Sequence, residues 1–227
     1  MYNKPMKILI TIPVYNESKA IGGLVKSIKA KGHDVLVIDD GSDDSSGLIA
    51  EGSGAAVVYR RARGGKGLSL KEGFAYALKN GYDGVITMDG DGQHAVEDIG
   101  KFIRLAQEHP DSVITSNRMN DARKMPLLRF VTNWSMSALI SLLCRQRIPD
   151  TQCGFRYIGA NVLKNIVLTC DSYEVETEVL IKTSKKGFPI LSVDVETIYS
   201  DEASHINPFK DTLRFFKYIV REMFSKT

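Results

Sequence analysis

Gly84-Val85-Ile86-Thr87-Met88-Asp89-Gly90-Asp91-Gly92-Gln93-His94 is the stretch whose reading decides the fold. An apolar, partly β-branched run behind a glycine predicts a short buried strand from Gly84 to Met88, with two carboxylates arriving where it ends. Asp89 and Asp91 are one residue apart and share a face while the backbone stays extended. Gly90 and Gly92 leave room for a ligand's phosphates to approach. Two like charges so close need a compensating cation, and a divalent metal held by oxygen ligands and bridged to a diphosphate supplies one. An acidic surface turn competes with this, because Asp-Gly pairs form turns readily, and on the fragment alone the turn is preferred.

Working outward, strand and helix signals alternate. Lys7 to Val14 predicts a first strand, closed by Tyr15-Asn16-Glu17, and a helix follows from Ser18 to about Lys31 with Ile21, Leu24, Val25 and Ile28 on one face. Asp34 to Ile38 predicts a second strand, running into Asp39-Asp40-Gly41-Ser42. Ala56 to Arg60 predicts a third, entering the basic Arg61-Ala62-Arg63-Gly64-Gly65-Lys66-Gly67, and a helix to about Asn80 precedes the strand that carries Asp89. This alternation predicts an α/β fold, a mostly parallel sheet with helices on both faces. Ligands of such sheets bind at the carboxyl ends of the strands, where these four polar loops would meet. No G-x-G-x-x-G follows the first strand and no G-x-x-x-x-G-K-[ST] occurs, which disfavours dinucleotide dehydrogenases and P-loop NTPases.

Bulk properties set the frame. A chain of 227 residues, 43% hydrophobic and 25% charged, fits one domain. A net charge of +3 is too weak to argue for nucleic acid. Cys144, Cys153 and Cys170 contain no C-x-x-C pair, so neither a disulfide framework nor a zinc knuckle is expected, and a reducing cytosol fits best. The polar N-terminus has no signal-peptide architecture, and no apolar run approaches the ~20 residues needed to span a bilayer. A soluble or peripheral protein is expected.

Ile12-Pro13-Val14-Tyr15-Asn16-Glu17, Val37-Ile38-Asp39-Asp40-Gly41-Ser42, Gly65-Lys66-Gly67 and Asp89 to His94 together resemble the successive motifs of family 2 glycosyltransferases of the GT-A fold. Ser116-Asn117-Arg118, Asp150 to Arg156, Glu174 to Glu178 and Ser204-His205-Ile206-Asn207-Pro208 are similar to the dolichol-phosphate mannose synthase-like branch. The likeness runs nearly end to end, and order and spacing carry it. It implies a single Rossmann-like GT-A domain over 1–227, with a nucleotide-sugar-binding half (1–118), an acceptor and membrane-facing half (119–227) and a C-terminal amphipathic helix.

The resemblance also implies roles. Pro13, Tyr15, Glu17, Asp39, Asp40, Lys66 and Asp89 would hold the donor, and Asp89, Asp91 and Gln93 would hold Mg2+ or Mn2+. From the residues alone, Asp39 could cap the next helix but ligand contact is favoured for it and for Glu17, Asp40 is open, and for Lys66 a surface lysine is the common case. His94 is expected to be a solvated or capping residue. The acceptor would be a polyprenyl phosphate, already ionised near neutral pH, so cations rather than a base must hold it. Arg118, Arg129, Arg156 and His205 are the candidates, with Asp91, Arg118 and Arg129 named as catalytic. Arginine's planar fork suits two phosphate oxygens, and Arg156 equally suits a structural ion pair. His205 stands where the branch carries lysine and would be only partly charged at neutral pH.

Glu174, Glu176 and Glu178 alternate, so at most one faces a site, where it would serve a hydroxyl acceptor as base. Pro126 to Cys144 is more apolar than one buried face requires and suits a membrane interface, with Trp134 at headgroup level. Phe209, Leu213, Phe216 and Val220 form a C-terminal stripe flanked by Lys210, Arg214, Lys217 and Arg221, equally suited to core packing or to anionic headgroups.

The implied activity is inverting transfer of one sugar to a polyprenyl phosphate at the cytoplasmic face of the membrane. The donor is GDP-mannose first and UDP-glucose second, and oligomeric state is open. A soluble or protein hydroxyl acceptor, a noncatalytic sugar-nucleotide-binding module and a sugar-phosphate nucleotidyltransferase are the competitors. Intact Asp89 and Asp91 disfavour the second, and the lack of a glycine-rich, arginine-containing opening loop disfavours the third.

Overall fold

The computed structural model describes residues 6–120, 127–196, 198, 215 and 217–222, with Leu128 and Arg129 as helical backbone only. Seven strands lie in one sheet: β1 (Ile8–Val14), β2 (Asp34–Asp39), β3 (Ala56–Tyr59), β4 (Gly84–Thr87), β5 (Val113–Asn117), β6 (Arg156–Gly159) and β7 (Ile190–Asp194). The helices are α1 (Ile21–Ala30), α2 (Ser46–Gly52), α3 (Lys66–Lys79), α4 (Ile99–Glu108), α5 (Leu127–Cys144), α6 (Ala160–Asn165) and α7 (Val175–Lys185).

The strand order is β3-β2-β1-β4-β6-β5-β7. β1 pairs parallel with β2 and β4, β2 with β3, and β5 with β7, as the alternation predicts. β6 runs antiparallel to both β4 and β5. The chain leaves β1 toward β2 on one side while β4 lies on the other, so the crevice between β1 and β4 is the topological switch point where open α/β sheets bind ligands.

Strand periodicity builds a core on each face. Ile8, Ile10, Ile12 and Val14 point one way and pack with α1, α2 and α4 residues such as Ile21, Ala50 and Phe102. Leu9 joins Leu36 and Ile38 on the other face, under Leu70 and Phe74 of α3, Ile140 of α5 and Leu180 of α7. Each such side chain, fully buried, contributes about 1.5–3 kcal/mol. All three cysteines are free and buried, and burial pushes the Cys144 and Cys170 thiols up to about 12.

Two expectations need correcting. α1 begins at Ile21 rather than Ser18, because Asn16 adopts φ 58° and the following amides bond to the next loop instead of opening a helix. Of the C-terminal stripe, Phe209, Leu213 and Phe216 lie outside the described residues, as do Lys210 and Arg214; Val220 is exposed, while Phe215, Tyr218 and Ile219 are buried in the core. That turn therefore packs inward, and Lys217 and Arg221 lie beside it in solvent.

Candidate active site

The first two strand ends are laced together by backbone-to-side-chain bonds. Asn16 N–H donates to Ser42 Oγ (3.1 Å), Glu17 N–H to Ser46 Oγ (2.7 Å) and Ser18 N–H to Asp44 Oδ2 (3.0 Å). Asp39 Oδ1 accepts the Ser42 amide at 2.8 Å, so this carboxylate does shape the turn into α2. Asp40 has a job that the sequence does not reveal. Its two oxygens accept the Gly64 and Gly65 amides, each at 2.8 Å, which grips the glycine-rich loop and sets the start of α3. Gly65 has φ 100°, and a Cβ there would sit 2.6 Å from the Asp171 carbonyl oxygen, so only glycine fits between the two loops. Arg63 lies 3.9 Å over the Tyr15 ring, a cation–π contact that joins the first strand end to the glycine-rich loop.

Lys66 is the first residue of α3, and this placement carries it into the cleft rather than to the surface. Its Nζ lies 2.5 Å from Asp89 Oδ1 and 2.7 Å from Glu176 Oε1. Burial alone would push the Asp89 carboxyl up, but the Lys66 ammonium, with His94 and Arg118 beyond it, holds it down at about 2. The same two carboxylates hold the Lys66 pKa above its ordinary value despite burial. Asp91 Oδ1 accepts the Gln93 amide at 3.0 Å. Burial, with the negative charge of Asp89 alongside, raises the Asp91 carboxyl above the usual range. Gly90 packs close on the end of β1, where a Cβ would meet the Val14 and Glu17 side chains at 3.1 and 3.4 Å.

Contrary to expectation, His94 is a buried brace. Its Nδ1 accepts the Asp89 amide at 3.2 Å, its Nε2 lies 3.6 Å from Cys153 Sγ, and its ring stacks on Phe155 with centroids 5.1 Å apart. The sequence signal for this is the apolar Ala95-Val96 that follows, which continues into the core. Behind Asp89, the Thr151–Arg156 segment closes the floor, and a Cβ on Gly154 would sit 2.8 and 2.9 Å from the two Asp89 oxygens.

Of the basic candidates, Arg118 lies near enough to this centre for its charge to lower the Asp89 carboxyl. Its Nε and Nη2 donate to Asp150 at 2.7 and 3.1 Å in a two-point grip, the Asp150 side chain being fully buried. Arg156 does not reach the cleft surface. It is 2% exposed, and its guanidinium donates to the carbonyls of Cys153, Glu176 and Thr151, which makes it a core strut. Arg129 lies in the first turn of α5 with its side chain outside the described residues, and His205 lies outside them altogether.

The glutamate run resolves into three roles. Glu174 precedes α7, and Glu176 faces Lys66. Glu178 is buried and accepts from the Thr169 and Cys170 amides and from Lys182. Burial opposes its ionisation, but these donors outweigh it and hold its pKa below the ordinary value.

On the outside of α5, Leu127, Val131, Trp134 and Leu142 are exposed at 76, 50, 60 and 76%. They share one helical face with Ala138. α5 carries no acidic residue, and Arg145 and Arg147 are exposed just beyond its end. Among the described residues, no helix is long and apolar enough to cross a membrane.

An open α/β sheet of this order, with the Asp89 and Asp91 carboxylates at its switch point, has the GT-A architecture. The chain belongs to the family described as Glycosyl transferase family 2, whose model matches residues 9–166. Among its relatives is a UDP-N-acetylglucosamine–dolichyl-phosphate N-acetylglucosaminyltransferase of Methanococcus voltae, 29% identical over 86% of this chain and 86% of that protein. Another is an undecaprenyl-phosphate mannosyltransferase of Micrococcus luteus, 28% identical over 84% of this chain and 83% of that one. These relatives put the chain beside the polyprenyl-phosphate branch. The fold is similar to glucosyl-3-phosphoglycerate synthase of Mycobacterium tuberculosis, solved with Mn2+ and UDP-glucose, at TM-score 0.74, 20% identity, 96% of this chain and 78% of that one.

Proposed function

We propose that this glycosyltransferase moves a single sugar from a nucleotide-sugar donor to a polyprenyl phosphate, with inversion, while docked peripherally on the cytoplasmic face of a membrane. The carrying observation is the Lys66–Asp89 pair at the switch point, with Arg118 near enough for its charge to lower the Asp89 carboxyl, on the same molecule as the exposed apolar face of α5. Tyr15, Glu17 and Asp39, with Pro13 behind them, line the donor side. Asp40 acts through the Gly64–Gly65 loop that it grips.

Asp89 and Asp91 offer hard carboxylate oxygens, the donor type suited to Mg2+ or Mn2+. Among the described residues no His, Cys, Asp or Glu group of three or more is arranged to hold an ion. Asp89 and Asp91 would hold such an ion, with Gln93 as a further candidate ligand. A bound ion supplies charge neutralisation of the departing diphosphate.

The protein's own contribution is positional. Arg118, fixed by Asp150, orients the acceptor phosphate, whose oxygen forms the new bond to the anomeric carbon as the bond to the diphosphate breaks. The phosphate is already ionised, so no proton has to be removed by the protein. Arg129 and His205 remain candidate contacts for the same phosphate, whereas Arg156 is spent on carbonyls and is left out. The apolar face of α5, with Trp134 at headgroup level and Arg145 and Arg147 near its end, rests on the bilayer.

GDP-mannose is the first donor to test and UDP-glucose the second. Radiolabelled GDP- and UDP-sugars are offered with polyprenyl phosphate and Mg2+ or Mn2+, with and without EDTA. EDTA-sensitive label in the organic phase, lost in Asp91→Ala, supports the proposal and names the donor. Donor binding or hydrolysis with no lipid label refutes it. A hydroxyl acceptor is the second reading, favoured by the position of Glu176 in the cleft.

A further inference from the structure

The acidic cleft already contains a cation of its own. Lys66 Nζ bridges Asp89 Oδ1 at 2.5 Å and Glu176 Oε1 at 2.7 Å, with the lysine and Glu176 side chains each 16% exposed. We propose that Lys66 is the resident counter-cation of this cleft. It holds Asp89 in the nucleotide-free protein and yields it to a divalent ion when a diphosphate gives the ammonium a new partner. This rests on Asp89 and Asp91 holding the ion, as proposed above.

Three features of the packing support a moving ammonium rather than a moving carboxylate. The backbone of Asp89 is held by its amide's bond to His94 Nδ1, and its carboxylate sits so close over Gly154 that a Cβ there would come within 2.8 and 2.9 Å of the two oxygens. The backbone of Lys66 cannot move either, because Asp40 holds the preceding two amides and Leu68 N–H bonds to the Asp171 carbonyl at 3.2 Å. That leaves the four-carbon stem, the flexible part of a lysine.

Glu176 gives this stem a second anchor. The ammonium can swing off Asp89 toward a diphosphate without crossing the cleft uncompensated. An ammonium and a divalent ion on one carboxylate oxygen repel each other, so the two cations compete for Asp89 until an anion separates them. Ion and nucleotide binding are then coupled, and the coupling is reciprocal.

Mn2+ binding, read from the electron paramagnetic resonance signal of the free ion, tests this without any turnover. Wild type, Lys66→Met and Lys66→Gln are titrated with Mn2+ alone and again with GDP or UDP, after thermal melts establish which variant is folded. The expected result is at least tenfold tighter Mn2+ binding by the folded Lys66 variant than by wild type when nucleotide is absent. Asp91→Ala removes that binding. Equal or weaker binding by the folded variant, while wild type binds Mn2+ with nucleotide, overturns the counter-cation role and leaves the metal site standing. No Mn2+ binding by any form, even with nucleotide, removes the metal site itself and this inference with it.

Discussion

The two halves of the sheet hold their functional groups differently. In the parallel half, β3-β2-β1-β4, the acidic and aromatic candidates sit at or just past the ends of their own strands: Tyr15 after β1, Asp39 and Asp40 at the end of β2, Asp89 after β4. In the other half the antiparallel β6 interrupts the order; Arg118 still follows the end of β5, but its guanidinium and the Thr169 loop are set by contacts across the chain. Arg118 is held by Asp150, 32 residues away, and the loop at Thr169 by Glu178 from within α7. Topology does the placing in the first half. In the second, individual buried ion pairs do it, so single substitutions there should disturb one function at a time.

The largest effect is expected in the parallel half. Asp91→Ala should lower transfer about a thousandfold, the equivalent of several kcal/mol of lost charge stabilisation, with an unchanged circular dichroism spectrum. Retained transfer would mean that the strand-end carboxylates are not the reacting centre.

Across the divide, Glu178→Gln should cost about 3 kcal/mol of stability by chemical denaturation while sparing nucleotide affinity. Its sign with pH follows from the depressed pKa of Glu178: the contribution is fully present above the ordinary glutamate value of 4.5 and is lost as pH falls through the lower folded value. The variant should therefore show a flatter acid limb in its stability profile.

Asp150→Asn should loosen Arg118 and raise the KM for polyprenyl phosphate about tenfold, equivalent to ~1.4 kcal/mol, with the donor KM unchanged. A change in donor KM alone would reverse the assignment of the two halves. The smallest effect belongs to the outer face of α5. Trp134→Ser should weaken binding to anionic vesicles roughly threefold, measured by co-sedimentation, and leave soluble nucleotide binding untouched.

Legibility follows the same divide. The strands and motif loops of the parallel half are visible in sequence because a buried strand and its terminal loop are neighbours in the chain, and their order implies the crevice. Asp40 escapes, since the amides it binds arrive through β3 and its following loop. His94 escapes because burial of a loop histidine depends on Phe155 and Cys153, about sixty residues on. Arg156 looks like an anion contact by composition and becomes a core strut only once three carbonyls converge on it. The glutamate run shows that one residue at most faces the site, but only the packing of α7 selects Glu176. The phase of the C-terminal turn is set by the core cluster it joins, which local periodicity does not specify.

The central claim is that the acceptor is a phosphate that reacts without a protein base. One competition measures it directly: a polyprenyl phosphate and the polyprenol of equal chain length are offered together with labelled donor, and the two lipid products are separated. The account predicts label in the phosphate-linked product alone, undiminished in its preference by Glu176→Gln. Label in the polyprenol product that disappears with Glu176→Gln would contradict it and make Glu176 the base of a hydroxyl-directed transferase.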